Sequence, residues 1–121
     1  MTSTLIPVAL GGALGASLRY LTGIAAVRLL GHWFPWGTLT VNIFGSFLMG
    51  VIVVVLAHLN GNRFAPFLMT GVLGGFTTFS AFSLDAVTLY ERGDFGAAAL
   101  YVTASVGLSI AALFIGVTLA R

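Results

Sequence analysis

The chain contains no cysteine and no lysine, and only 7% of its 121 residues are charged. Each shortage excludes something. Without cysteine there is no disulfide framework, no thiolate metal site and no catalytic thiol. Soluble domains carry about 25% charged residues. A chain this poor in charge, with 59% hydrophobic residues, cannot keep a folded surface wetted. Its expected solvent is a bilayer. The basic pI of about 9.7 comes from five basic residues, all arginine, against three acids. No basic run or face is present, so nucleic acid is not an expected partner. Catalytic residues are not expected either. His32 and His58 sit near the ends of apolar runs, and no nucleophile–base or metal-ligand spacing surrounds them.

What is present is a set of long apolar runs. A spanning helix needs about 20 apolar residues. Residues 5–27, 37–58, 64–90 and 95–120 meet that length, which predicts one all-α membrane domain of four spans over residues 1–121. The connectors are short. GHWFPWG (31–37) has the tryptophan and proline chemistry of a membrane–water interface. HLNGNRF (58–64) reads as a polar turn and ERGD (91–94) as a tight charged one. The opening MTSTLIPVALGG lacks a basic n-region and a small-residue cleavage site, so it is expected to begin a retained first span. Gly11 and Gly15, Ser46 and Gly50, Gly71 and Gly75, and Gly107 and Ala111 have the spacing that lets helices approach closely in lipid, within one chain or between chains. Four thin helices leave little room for a cavity, so an oligomer is expected.

Orientation in the membrane follows the excess of Lys and Arg in cytoplasmic loops. With four spans, Arg63 and Arg121 lie on one side and Arg28 and Arg92 on the other, while Arg19 is inside a span. The balance is even. It leaves two readings open: one orientation set by subtler features, or insertion both ways with head-to-tail pairing.

Polar residues inside the spans are few and patterned. Arg19 either snorkels to the interface or faces protein, where it would bind backbone carbonyls or an anion. Thr38, Asn42, Ser46 and Gly50 form one helical stripe, and Tyr101, Ser105 and Ser109 form another. Asn42 could be glue between helices or a donor projecting into an ion path. Two facing polar stripes are what a narrow polar pore needs. The third run carries GGFTTFSAF (74–82). Gly74 and Gly75 are expected to interrupt the helix there, with Thr77, Thr78 and Ser80 offering hydroxyls to the freed backbone. Unwound backbone at bilayer depth is tolerated only when buried in protein or lining a cavity. Freed carbonyls there are hard oxygen ligands suited to Na⁺. Phe76, Phe79 and Phe82 are expected on one side of the remaining helix, either as core or as rings whose positive edges favour a small anion.

These stretches resemble a known family. GGALGASLRY (11–20), GTLTVNIFGSFLMG (37–50) and GVLGGFTTFSAF (71–82) are similar, in order and spacing, to the signatures of the Fluc (CrcB) fluoride channels. The likeness covers all four spans. It implies a four-span subunit with the third helix broken mid-span, paired as an antiparallel, dual-topology homodimer in the bacterial cell membrane. It further implies two fluoride pores per dimer and a passive export of cytoplasmic fluoride that lowers its toxicity. A structural Na⁺ at the dimer interface would be held by the carbonyls of Gly74 and Thr77. The pore would be formed by Asn42, Phe79, Phe82, Ser80, Ser83, Tyr101 and Ser105, with Arg19 structural or in a vestibule. The chain departs from the family pattern at Ala81, where threonine is frequent, and at Asp85, where glutamate is.

Two other readings remain open on the residues. A small multidrug or guanidinium antiporter would also be four short helices, but it needs a membrane-embedded carboxylate, and Asp85 is the one candidate. A non-transporting packing subunit would need none of the polar stripes to line a path.

Overall fold

A computed structural model describes residues 2–59 and 64–121, the side chains of Thr2 and Ser3 excepted; the remainder of the polar turn, with Arg63, lies outside the described residues. Helix α1 is Thr2–Leu30 and α2 is Trp36–His58. The third span opens as a wide π-helical segment, Pro66–Leu73, and closes with a short α turn, Gly74–Phe76; together these are α3. Helix α4 is Phe79–Glu91 and α5 is Phe95–Ala120. Four stretches are long and apolar enough to cross a membrane: Thr4–Leu30, Trp36–His58, Pro66–Glu91 and Phe95–Ala120. They fall where the apolar runs placed them. In lipid each backbone polar group must be satisfied within the protein, which makes long helices the favoured form for such runs. Helix α1 continues unbroken through Arg19.

The bundle is built from two close pairs, α1 against α3 and α2 against α5, with α1 and α2 also in contact. Glycines set both approaches. A Cβ on Gly15 would fall on the carbonyl of Val72, and one on Gly75 would sit 2.7 Å from the carbonyl of Gly12. On the other pair, a Cβ on Gly50 would strike the Leu113 carbonyl and one on Gly116 the Phe47 carbonyl. Lipid tails are as apolar as leucine, so such backbone-close packing, rather than water exclusion, holds the helices together. Gly107 and Ala111 take no part in these two contacts: both face outward, and a Cβ on Gly107 would meet nothing.

A small aromatic core ties the interfacial loop to the helices. Phe34, Leu39, Leu89 and Tyr101 are buried together, with Trp36 and Phe82 packed against them. Phe34 and Tyr101 meet edge to face at 5.5 Å. Most large apolar side chains elsewhere, among them Leu5, Leu10, Leu100 and Phe114, remain exposed on the single chain.

The third span is bent, and the bend lies later than the glycines suggest. Gly74 is helical (φ −63°, ψ −38°). Thr77 (φ −89°, ψ 157°) and Thr78 (φ −154°, ψ 128°) are extended, and the helix resumes at Phe79. The expectation of an interruption at Gly74 and Gly75 is corrected accordingly. Gly75 is small because α1 packs on it. At the interruption the Thr78 hydroxyl accepts the Ala81 N–H at 3.2 Å and so caps α4. An N-cap residue takes extended dihedrals by preference.

Candidate ion pathway

Two side chains organise the bend. Asn42, on α2, accepts the Thr78 N–H through Oδ1 at 2.9 Å and donates from Nδ2 to the Thr78 carbonyl at 3.1 Å. The Thr77 hydroxyl turns back to the Leu73 carbonyl at 2.9 Å. In a continuous helix the Thr78 amide would bond the Gly74 carbonyl, and the Ala81 amide would bond the Thr77 carbonyl. Asn42 and the Thr78 hydroxyl take those two amides instead. Among the carbonyls that lose their helical donors at the bend are those of Gly74 and Thr77, the two that the family resemblance implies as cation ligands. Among the described residues no group of three His, Cys, Asp or Glu could hold a metal ion.

Beside the bend lies an open groove of about 260 Å³ between α2, α4 and α5. Its polar lining is Asn42, Ser46, Thr77, Thr78, Ser105 and Ser109, and the rings of Phe79 and Phe82 border it. The two rings are 5.5 Å apart and inclined at 51°. Phe79 is 78% exposed on the single chain, whereas Phe82 packs on Tyr101 at 5.3 Å. The Ser109 hydroxyl is buried without a hydrogen-bond partner, and that of Ser105, also buried, has only the neighbouring Tyr101 hydroxyl beside it. A buried hydroxyl is normally paired, so Ser109 on the groove wall is a group prepared to meet something polar.

The remaining expected residues fall in several places. Phe76 is separated from Phe79 and Phe82 by the bend and is buried near Gly45, with its ring 6.3 Å from that of Phe44. Ser80 and Ser83 do not border the groove; the Ser80 hydroxyl lies 3.3 Å from that of Thr78. Tyr101 does not border it either. Its side chain is fully buried behind Phe82, and its hydroxyl donates to Asp85 Oδ2 at 3.2 Å. Asp85 lines a separate cavity of about 260 Å³ near the aromatic loop, together with His32, Thr38, Thr88 and Arg92. Arg19 is partly buried and donates from Nε to the Gly75 carbonyl at 3.2 Å, so it faces protein. Ser46 and Ser109 line the groove and had shown themselves only as members of the two stripes. The Thr78 hydroxyl serves freed backbone as the sequence suggests, accepting the Ala81 N–H, whereas its backbone pairing with Asn42 carried no signal in the sequence.

Comparison with known proteins bears on the whole chain. The profile of the family described as CrcB-like protein, Camphor Resistance (CrcB), matches residues 6–117. The protein named fluoride-specific ion channel FluC from Cereibacter sphaeroides is 69% identical over 121 residues, covering 100% of this chain and 97% of its relative. The FluC proteins of Ruegeria sp. and Agrobacterium fabrum are 62% identical over 122 residues and 58% over 116, covering 100% and 94% of this chain and 97% and 93% of those relatives. With four membrane-spanning helices and this similarity over its full length, the chain belongs to the CrcB family of membrane proteins, the family of the FluC channels.

Proposed function

We propose that the protein is a passive, fluoride-selective channel, a single membrane domain that works as an antiparallel homodimer with two pores. The observation that carries the reading is the groove. Asn42, Thr78, Ser105 and Ser109 bring amide and hydroxyl groups from three elements to one groove, and two phenyl rings border it. Fluoride is small and tightly hydrated, so a pore that passes it must replace water with closely spaced donors. The buried serine hydroxyls that line the groove are such donors. Ring edges carry partial positive charge and attract an anion without holding it firmly. Conduction needs that combination of favourable admission and easy release.

The exposure of Phe79 supports pairing of two copies. A ring that is 78% exposed can flank a closed conduit only when another surface covers it. The even split of arginines between the two sides fits a dimer of opposite orientations. The carbonyls of Gly74 and Thr77, deprived of their helical donors, are the groups that would hold a structural Na⁺, which would supply positive charge to offset their dipoles. Ser80, Ser83 and Tyr101 would act beside the path, Tyr101 by backing Phe82. Arg19 has a structural role, holding α1 to the third span.

The driving force needs no coupling. HF crosses lipid as a neutral acid and dissociates in a near-neutral cytoplasm, which traps fluoride. A membrane potential negative inside drives each anion outward by about 2.3 kcal/mol per 100 mV. The test is efflux from liposomes holding only the purified protein, read with a fluoride electrode and with chloride as control. Rapid fluoride release without chloride release, and without a proton gradient, is expected. Release that requires a proton gradient would point to the antiporter reading, and no release at all would sink the channel.

A further inference from the structure

As part of the proposed pore, Asn42 has the task of a donor. Its two hydrogen bonds to Thr78 point to another. We infer that Asn42 is the positioning residue that creates the bend in the third span, by acting as a substitute peptide group for Thr78. The inference rests on the channel reading in that it gives the pore amide a second duty.

A carboxamide and a peptide carry the same donor and acceptor pair. Asn42 uses both on one residue, accepting from the Thr78 N–H at 2.9 Å and donating to the Thr78 carbonyl at 3.1 Å. The Thr78 N–H can only donate, so it must face the side-chain oxygen; this sets which end of the amide is which. The Thr78 N–H is thereby satisfied in an extended conformation by a side chain from another helix. That matters at membrane depth, where each unpaired backbone group costs several kcal/mol. Without Asn42 the cheapest repair is to rewind Thr78 into the helix and return its amide to the Gly74 carbonyl. Rewinding would withdraw that carbonyl from any cation and turn Phe79, the next residue, away from the groove. Asn42 therefore couples the two halves of the proposed machinery: one side chain sets the ring that borders the path and frees the oxygen that faces the junction.

Only one side of the Asn42 amide is used in this way. Nδ2 has two hydrogens, and one goes to Thr78, which leaves the other for the groove that Asn42 lines. Positioning and anion contact are thus compatible in a single residue. They are also separable, because aspartate keeps an oxygen for the Thr78 N–H in either protonation state but loses the amide donor.

The test is amide hydrogen exchange, followed by mass spectrometry on peptides covering residues 74–82, for the purified protein in nanodiscs. Wild type should show a protected Thr78 amide although that residue is extended. Asn42→Ala should speed its exchange by about tenfold or more, the factor expected from the loss of one hydrogen bond. Peptides from α5 should be unchanged. Asn42→Asp should restore protection to within about threefold of wild type while fluoride efflux stays low. An unprotected Thr78 in wild type overturns the inference, and that measurement needs no variant to fold. Equal exchange in wild type and Asn42→Ala overturns it too, as does Asn42→Asp behaving like Asn42→Ala. A wild-type protein that shows the exchange pattern but no fluoride efflux would remove the channel reading and leave the positioning role standing.

Discussion

Arg19 on α1 donates a 3.2 Å hydrogen bond from Nε to the carbonyl of Gly75 in the third span. In an unbroken helix that carbonyl would meet the amide of Phe79, which lies beyond the bend. Arg19 thus supplies a donor that the bend has taken away. A charge at the centre of a span costs about 2.5–3.5 kcal/mol on insertion scales, so its presence requires a return of this kind. Arg19→Ala leaves the carbonyl unpaired in an apolar setting, at a cost of about 1–3 kcal/mol. A lower thermal midpoint in detergent is expected. Arg19→Lys should recover only part of it, since lysine lacks the planar fork that fixes the donor. An unchanged midpoint for Arg19→Ala would show the bond to be incidental.

Glycine substitutions should divide by what a methyl group would meet. At Gly15 and Gly116 it would run into the facing backbone carbonyls of Val72 and Phe47, which cannot rotate away. Overpacking of this kind costs about 1–3 kcal/mol, so Gly15→Ala and Gly116→Ala should lower the thermal midpoint and the yield of folded protein. Gly96, in the first turn of α5, faces open space. Gly96→Ala should be neutral or stabilising by up to about 1 kcal/mol. Equal behaviour of the three variants would contradict the close approach of the two helix pairs.

Phe79 and Phe82 border the same groove but differ in what else they touch. Phe82 packs on buried Tyr101, while Phe79 is largely exposed on the single chain. Phe79→Ile should therefore leave the fold of the subunit intact and cut fluoride efflux by about tenfold or more if its ring edge contributes about 1.4 kcal/mol to passage. Phe82→Ile should lower efflux and stability together. Stability is read from the thermal midpoint and efflux from the fluoride electrode. Full efflux in Phe79→Ile would remove that ring from the path.

What could be read in advance depended on how local its cause was. The spans follow from runs of apolar residues, and the two polar stripes from helical period alone; Asn42, Ser46, Ser105 and Ser109 do meet in one groove. The bend was legible in kind but not in place. Two glycines suggested weakness, yet Gly75 is used to admit α1, and the chain turns at Thr77 and Thr78, where Asn42 from another helix can hold it. The same distance in sequence hid the partner of Arg19. Tyr101 shares a stripe with Ser105 but is turned behind Phe82 to reach Asp85, a side-chain direction that residue spacing does not encode. The three phenylalanines looked like one face because a helix was assumed to run through them.

Ser105 and Ser109 should respond oppositely in stability and in function. The Ser109 hydroxyl is buried with no partner and that of Ser105 has only the Tyr101 hydroxyl beside it, so the folded subunit carries much of their desolvation cost without a hydrogen bond in return. Removing a buried unpaired polar group relieves a cost of about 1–3 kcal/mol, offset in part by the small void left behind. Ser105→Ala and Ser109→Ala should keep or raise the thermal midpoint while slowing fluoride efflux. Serine retained only for packing would give the reverse, with lower stability and unaltered efflux.

The Tyr101–Asp85 pair offers a test of whether Asp85 carries protons or holds structure. The tyrosine hydroxyl donates to the carboxylate at 3.2 Å from a fully buried side chain, behind the ring of Phe82. Tyr101→Phe keeps the ring contacts with Phe34 and Phe82 and removes the hydroxyl's bond to Asp85 together with its approach to Thr38 and Ser105. A hydrogen bond to a charged group is worth about 1.5–3 kcal/mol, so the variant should be less stable by that order. Efflux should fall moderately, because Phe82 keeps its backing but loses a fixed neighbour. Asp85→Asn retains an acceptor for the tyrosine and should conserve both stability and fluoride efflux without a proton gradient. Proton-coupled exchange would instead be abolished by Asp85→Asn, since the amide cannot bind and release a proton. Efflux measured at equal pH on both sides of the membrane, in wild type and in Asp85→Asn, separates the two outcomes.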